Sequence, residues 1–180
     1  MSGLCPPLQP FDANSFPLDP GVRLLEASAG TGKTFALAHL VLRLVTRPTN
    51  PLTLQQLLVV TFTEAAAAEL RDRIALRLQQ ALTLLEGTAA LGQEPDGVLL
   101  AWLEQQHDRR TLRGPLLLAL EQLDRADITT IHGFCRRTLQ RRSLEAGLGP
   151  AVELETDDGE RLAQVCHDYW QQQVLPLPIE

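Results

Sequence analysis

With 180 residues, 44% of them hydrophobic and 21% charged, the chain is long enough for one domain, or for one domain and part of another, and apolar enough for a real core, which excludes wholesale disorder. A net charge of −6 argues against indiscriminate binding to nucleic acid, yet leaves room for a local basic strip. Cys5, Cys135 and Cys166 are far apart and lack zinc-type spacing, no charged-then-apolar leader opens the chain, and no apolar run approaches the ~20 residues that cross a bilayer, so a soluble cytoplasmic protein without a membrane partner is expected.

Residues Met1 to Pro20 carry Pro and polar residues without periodicity and read as an irregular N-terminal arm. Val22, Leu24 and Leu25 have the character of a first strand. A glycine-rich loop follows, then an amphipathic helix from Lys33, with Leu37, Val41 and Leu44 on one face, that should stop near Arg47 because Pro48 and Pro51 cannot continue it. The continuous apolar, β-branched run Leu57 to Thr61 predicts a second strand buried on both faces, as parallel strands are. Thr63 can cap a long helix with Glu64 in its first turn and Gly87 just past its end. Its apolar stripe is Ala67, Leu70, Ile74, Leu78, Ala81 and Leu85, with Arg71, Arg73 and Arg77 off the stripe and Glu69 facing solvent.

From Thr88 to Pro115 the chain is punctuated by Gly and Pro, with a short helical piece around Val98 to Gln106. A helix Leu116 to Leu123 precedes a third strand, Asp127 to Ile131. A helix from Phe134 to Ala146 ends at Gly147, a loop runs from Gly149 to Gly159, and a last helix spans about Glu160 to Val174; Cys135 and Trp170 read as packing residues. Repeated strand-then-helix units imply a parallel sheet with right-handed crossovers, and ligands of such sheets sit at the C-terminal ends of the strands. Three stretches lie there: Ala27 to Thr34, Thr61 to Glu69, and Thr129 to Phe134.

The first stretch, within E-A-S-A-G-T-G-K-T, has the strand, loop, helix context of a phosphate-binding loop. Triphosphate oxygens need several donors converging on a small volume, and the backbone N–H groups of Ala27, Ser28, Ala29, Gly30, Thr31 and Gly32 at a helix N-terminus would supply them. Gly30 and Gly32 would allow the unusual dihedrals of the turn. Lys33 would reach the β- and γ-phosphates of ATP, and the Thr34 hydroxyl would be a ligand for Mg²⁺. Ala27 stands where the general pattern has Gly. Lys33 is the only lysine in a chain whose other basic residues are all Arg, so a compact ammonium is reserved for the position where a point charge suits the task.

The second stretch reads V-V-T-F-T-E-A-A-A-A-E-L-R-D-R-I and the third T-T-I-H-G-F-C-R-R-T-L. In this order the three resemble motifs I, Ia and Ib of superfamily 1 DNA helicases of the UvrD/Rep type, with wording nearest the RecB branch, over about Arg23 to Tyr169. The resemblance implies an α/β fold: a P-loop NTPase (RecA-like) parallel sheet flanked by helices, incomplete, followed by the start of a helical inserted subdomain. It implies an irregular arm at 1–20, a partial ATP-binding domain at 21–147 with a helical insertion at about 88–124, and the start of the inserted subdomain at 148–180. It implies further that Thr61, Phe62 and Thr63 line a groove for single-stranded DNA continued by Thr130, His132, Gly133 and Phe134. An exposed aromatic stacks on any base for roughly 1–3 kcal/mol, which suits a motor that steps along DNA. Arg136 and Arg137, with Arg141 and Arg142, form a basic cluster able to track the backbone. His132 has no evident nucleophile or metal partner.

Hydrolysis needs a carboxylate at a strand end to hold the metal. The family's Asp-Glu pair, second motor domain and nuclease do not appear in these 180 residues, so the expectation is the N-terminal part of a RecB-like ATP-dependent 3′-to-5′ helicase and exonuclease in double-strand break repair, itself inactive in turnover. Its implied partners are single-stranded and duplex-end DNA and RecC- and RecD-like subunits. Two alternatives remain: a small P-loop kinase, which would not require Phe62 or Phe134 in an open groove, and a non-catalytic nucleotide-binding or interaction module.

Overall fold

The computed structural model describes residues 10–28, 30–88, 96–145, 147 and 159–175. The start of the N-terminal arm with Cys5, Ala29 of the loop, part of the Gly- and Pro-punctuated region and most of the loop expected from Gly149 lie outside them. The chain divides into two compact units, Met1–Phe134 and Cys135–Glu180.

In the first unit the glycine-rich loop leads into helix α1 (Lys33–Thr46), which stops where Arg47 turns extended ahead of Pro48. Strand β1 (Leu58–Thr61) and helix α2 (Glu64–Glu86) come next. The Thr63 hydroxyl accepts the Ala66 amide at the N-cap of α2, and Gly87, at φ +67°, closes its C-terminus in the left-handed conformation. Helices α3 (Gly97–Glu104) and α4 (Arg113–Glu121) precede strand β2 (Asp127–Thr130) and helix α5 (Ile131–Arg141). The two strands pair in parallel, Leu58 with Asp127 through Thr61 with Thr130, so both end on the same side of the sheet.

The core lies where α1, α2, α3 and α4 meet one face of this sheet. Leu42, Ile74, Leu78, Leu99 and Leu116 are fully enclosed there, with Trp102 and Ile128 beside them. Each such side chain contributes on the order of 1.5–3 kcal/mol through lost apolar hydration.

Several sequence expectations need correction. Val22, Leu24 and Leu25 form no strand: among the described residues they have no partner strand to supply a ladder, and Val22 and Leu24 are 97% and 82% exposed. Strand β1 is not buried on both faces; Val59 packs on the core while Leu58 and Val60 face outward, because the helices of this unit cover one side only. The buried face of α1 is Ala38, Val41, Leu42 and Val45, which turns Leu37 outward. Arg77 is not off the stripe of α2: it lies three residues from Ile74 and four from Ala81, at the edge of the buried face, and is 3% exposed. Helix α5 begins at Ile131 rather than Phe134.

The second unit contains the remainder of α5 and helix α6 (Gly159–Tyr169), which passes into a wider π-type turn at Trp170–Val174. Cys135, Cys166 and Trp170 are exposed, against the packing expected of Cys135 and Trp170.

Candidate nucleotide loop and strand ends

The loop before α1 has the backbone its glycines were expected to permit. Gly30 has φ +77° and Gly32 φ +87°, ψ +23°, a region that costs an L side chain roughly 1–2 kcal/mol. No side chain caps α1, so its first amides are left for another acceptor. Lys33 folds back over the turn, its ammonium donating to the carbonyls of Ala27 and Ser28, and the Thr31 hydroxyl donates to the Ser28 carbonyl at 2.8 Å. The Thr34 hydroxyl has no hydrogen bond to any described residue. Uncapped amides, left-handed glycines and an exposed lysine on one turn are donors of the kind an anion requires, and their chemistry fits a nucleoside triphosphate. For a metal the same turn offers the Thr34 hydroxyl, and no cluster of His, Cys, Asp or Glu suited to a metal occurs among the described residues. Ala29 lies outside them.

Beside the loop a cavity of about 530 Å³ opens between α1 and α2, walled by Phe35, Arg73, Leu76, Arg77, Gln80 and Asp96. Its floor is a polar network absent from the sequence-based expectations. Arg77 donates through Nε to His39 Nδ1 at 3.1 Å and forms an ion pair with Asp96, and its guanidinium lies 4.5 Å from the centre of the Phe35 ring. His39 faces Asn14 Oδ1 across 2.7 Å, and Asn14 donates to the Val98 carbonyl at 2.9 Å. Because Nδ1 accepts from Arg77, the His39 proton sits on Nε2 and points at Asn14. Burial first, and then the charges of Arg77 and Arg43, push the His39 pKa down to about 4. Burial of Asp96 opposes its ionisation, but the hydrogen bonds from Arg77 and the Leu99 amide and the Arg77 charge outweigh that, and its pKa lies below the ordinary value. Arg43 clamps the arm by donating to the carbonyls of Ala13 and Phe16, both at 2.8 Å. The sequence signal for this network was faint: Phe35 and His39 four residues apart on α1, and Arg77 at a stripe edge.

At the other two strand ends, parallel pairing brings Thr61, Phe62 and Thr63 level with Thr130, His132, Gly133 and Phe134. Phe62 is 89% exposed, His132 is exposed and Phe134 half-buried. Thr63 and Thr130 spend their hydroxyls on helix caps: Thr63 accepts from Ala66, and Thr130, itself buried, accepts the Gly133 amide at 3.0 Å while donating to Glu64 Oε1 at 2.8 Å. Glu64, read as a first-turn residue, therefore also bridges the two strand ends. Arg136 and Arg137 follow on α5 within the second unit, Arg136 exposed and Arg137 half-buried.

No described helix is long and apolar enough to cross a membrane. Comparison with known proteins finds a match to the family model described as the UvrD/REP helicase N-terminal domain over residues 12–176. The chain is 42% identical over 167 residues to the RecBCD enzyme subunit RecB of Escherichia coli, covering 89% of this chain and 14% of that protein. It is 34% identical to the RecB subunit of Haemophilus influenzae over 93% of this chain and 15% of that protein. With an ATP-dependent helicase/nuclease subunit from Desulforamulus reducens it shares 37% identity over 74% of this chain and 9% of that protein. The chain thus spans about a seventh or less of these relatives. A match over nearly its whole length makes the chain a member of the UvrD/REP helicase N-terminal domain family.

Proposed function

We propose that this chain is the ATP-binding front part of a RecB-like, ATP-driven DNA helicase that moves 3′ to 5′ on single strands entered from duplex ends, in repair of double-strand breaks by recombination. The observation that carries the reading is one turn holding Lys33, two left-handed glycines and the uncapped start of α1, on the sequence side of two strands that end together in Thr61-Phe62-Thr63 and Thr130 to Phe134. In this reading the amides from Ala27 to Gly32 and the Lys33 ammonium hold the phosphates, Thr34 contributes its hydroxyl to a Mg²⁺ that arrives on the nucleotide, and the cavity walled by Phe35 and Arg77 takes the nucleoside. ATP supplies the phosphoryl transfer that drives stepping.

Phe62 offers a sequence-tolerant stacking face, which supports DNA over the kinase alternative, and Arg136 and Arg137 provide charge for the backbone. Strand β1 ends in Thr61 and β2 in Thr130, neither a carboxylate, so by itself the chain binds nucleotide without appreciable turnover. RecC- and RecD-like subunits and a cytoplasmic setting belong to the same reading. Its organisation follows: arm at 1–20, ATP-binding domain at 21–147 with an insertion at about 88–124, and the start of a further helical subdomain at 148–180.

Titration of a fluorescent ATP analogue with Mg²⁺, with and without oligothymidylate, tests it. The expected result is saturable binding of both ligands, with nucleotide binding lost in Lys33→Ala. Nucleotide binding with no oligonucleotide binding favours the kinase class, and binding of neither overturns the reading.

A further inference from the structure

A carboxylate at the mouth of a groove meant for a polyanion calls for a reason. Glu64 stands there, one residue after Thr63, at the first position of α2 and beside the strand ends that the proposed DNA path crosses. Its Oε1 accepts the hydroxyl proton of Thr130 at 2.8 Å, and that same hydroxyl accepts the amide of Gly133 at 3.0 Å. The three groups form one directional chain: Gly133 N–H to Thr130 Oγ1, and Thr130 O–H to the Glu64 carboxylate. An ionised acceptor at its end shortens and strengthens the bonds behind it.

The surrounding geometry is built for this contact. Thr130 is 5% exposed, so its hydroxyl has little access to solvent or to a phosphate; its one proton goes to Glu64 and it accepts one amide, that of Gly133. A Cβ on Gly133 would lie 2.5 Å from Thr129 Oγ1 and 3.1 Å from Thr130 Oγ1. Only glycine lets the first turn of α5 settle this close to the two threonines. Two helical turns along α2, the Arg71 guanidinium donates to the Ile128 carbonyl of β2 at 2.9 Å, a second tie between the same pair of elements.

We propose that Glu64, acting through Thr130 and Gly133, is a positioning residue that fixes the ends of β1 and β2 and the starts of α2 and α5 as one rigid surface, and so sets Phe62 against His132 and Phe134. In this role Glu64 acts on the groove through Thr130 and Gly133. Its role in DNA binding rests on the reading given above; its role in coupling the two strand ends does not. Without the carboxylate, Thr130 loses the acceptor that orients its hydroxyl, and α5 starts independently of α2.

Charge and position make opposite predictions for the same substitution. Removing a carboxylate from a phosphate groove should tighten DNA binding by charge alone. If Glu64 positions the groove, Glu64→Ala should instead weaken it, by about tenfold, the usual size of a lost hydrogen bond to a charged group. The test is fluorescence anisotropy of labelled oligothymidylate with the full chain and its Glu64→Ala, Glu64→Gln, Thr130→Val and Thr130→Ser variants. Melting temperatures establish that each is folded, and hydrogen exchange is followed across residues 131–134.

Glu64→Gln keeps an acceptor oxygen, so it should bind within about twofold of the parent, and Thr130→Ser keeps the hydroxyl and with it the protection at the start of α5, while Glu64→Ala and Thr130→Val weaken binding and lose that protection. Equal or tighter binding by Glu64→Ala overturns the positioning role. If the parent chain binds no oligonucleotide, the DNA reading falls and the exchange arm decides the coupling alone: protection lost in Glu64→Ala and kept in Glu64→Gln supports it, and unchanged protection refutes it.

Discussion

Acid should destabilise this protein through one buried histidine, His39. His39 is enclosed between α1 and α2 with Nδ1 committed to accepting from Arg77, so a second proton must displace that bond and place an imidazolium beside a guanidinium. Its pKa falls from the ordinary 6.5 to about 4. A depressed folded-state pKa gives stability that is fully present above 6.5 and is lost as pH falls toward 4. At ~1.4 kcal/mol per pH unit the whole effect is on the order of 3 kcal/mol, and about 2 kcal/mol of it disappears between pH 7 and pH 5. Against a total stability of ~5–15 kcal/mol that is a large share. The same sign holds for Asp96 and Asp12, whose pKa values lie below 3.8, so their losses come at lower pH, outside this window. Urea unfolding at pH 7, 6 and 5 measures the effect: the midpoint should drop by roughly 1 M in the native chain. In His39→Gln, which keeps an acceptor for Arg77 and a donor for Asn14 but does not titrate, it should hardly move. Parallel declines in the two proteins would refute the argument.

Three further outcomes follow from the geometry. Lys33→Ala should weaken nucleotide binding at least about tenfold in titration while leaving the thermal midpoint unchanged, since the ammonium is exposed and serves only its own loop. Gly32→Ala meets no neighbouring atom within 4 Å, so any loss comes from forcing φ +87° on an L side chain, about 1–2 kcal/mol, read as a lower melting temperature together with weaker nucleotide binding. Leu42→Ala, at a side chain with no exposure between α1 and the rest of the core, should cost about 2–5 kcal/mol in chemical unfolding.

The elements legible in the sequence were those whose signals are local. Thr63 and Gly87 bracket α2 because a hydroxyl cap and a left-handed glycine need only their immediate neighbours, and the loop from Ala27 to Thr34 was readable because each glycine answers a backbone requirement. What escaped depended on distant partners. Val22 to Leu25 have strand composition, but a strand exists only where another strand donates to it. Arg77 has the composition of a surface residue and became a buried one because His39, Asp96 and Phe35 converge on it from α1 and the approach to α3. Glu64 served its helix dipole as expected, while its bond to Thr130 spans 66 positions that periodicity cannot connect.

The folded-back Lys33 has a practical side. Apart from the amine that starts the polypeptide, it is the one primary amine in the chain, since every other cationic side chain is a guanidinium. An amine-selective acylating reagent therefore finds a single target side chain, exposed and lying across the glycine-rich loop. Intact-mass spectrometry after brief acylation becomes a label-free occupancy gauge: nucleotide that captures the ammonium should slow modification in step with saturation, without any probe attached to the ligand.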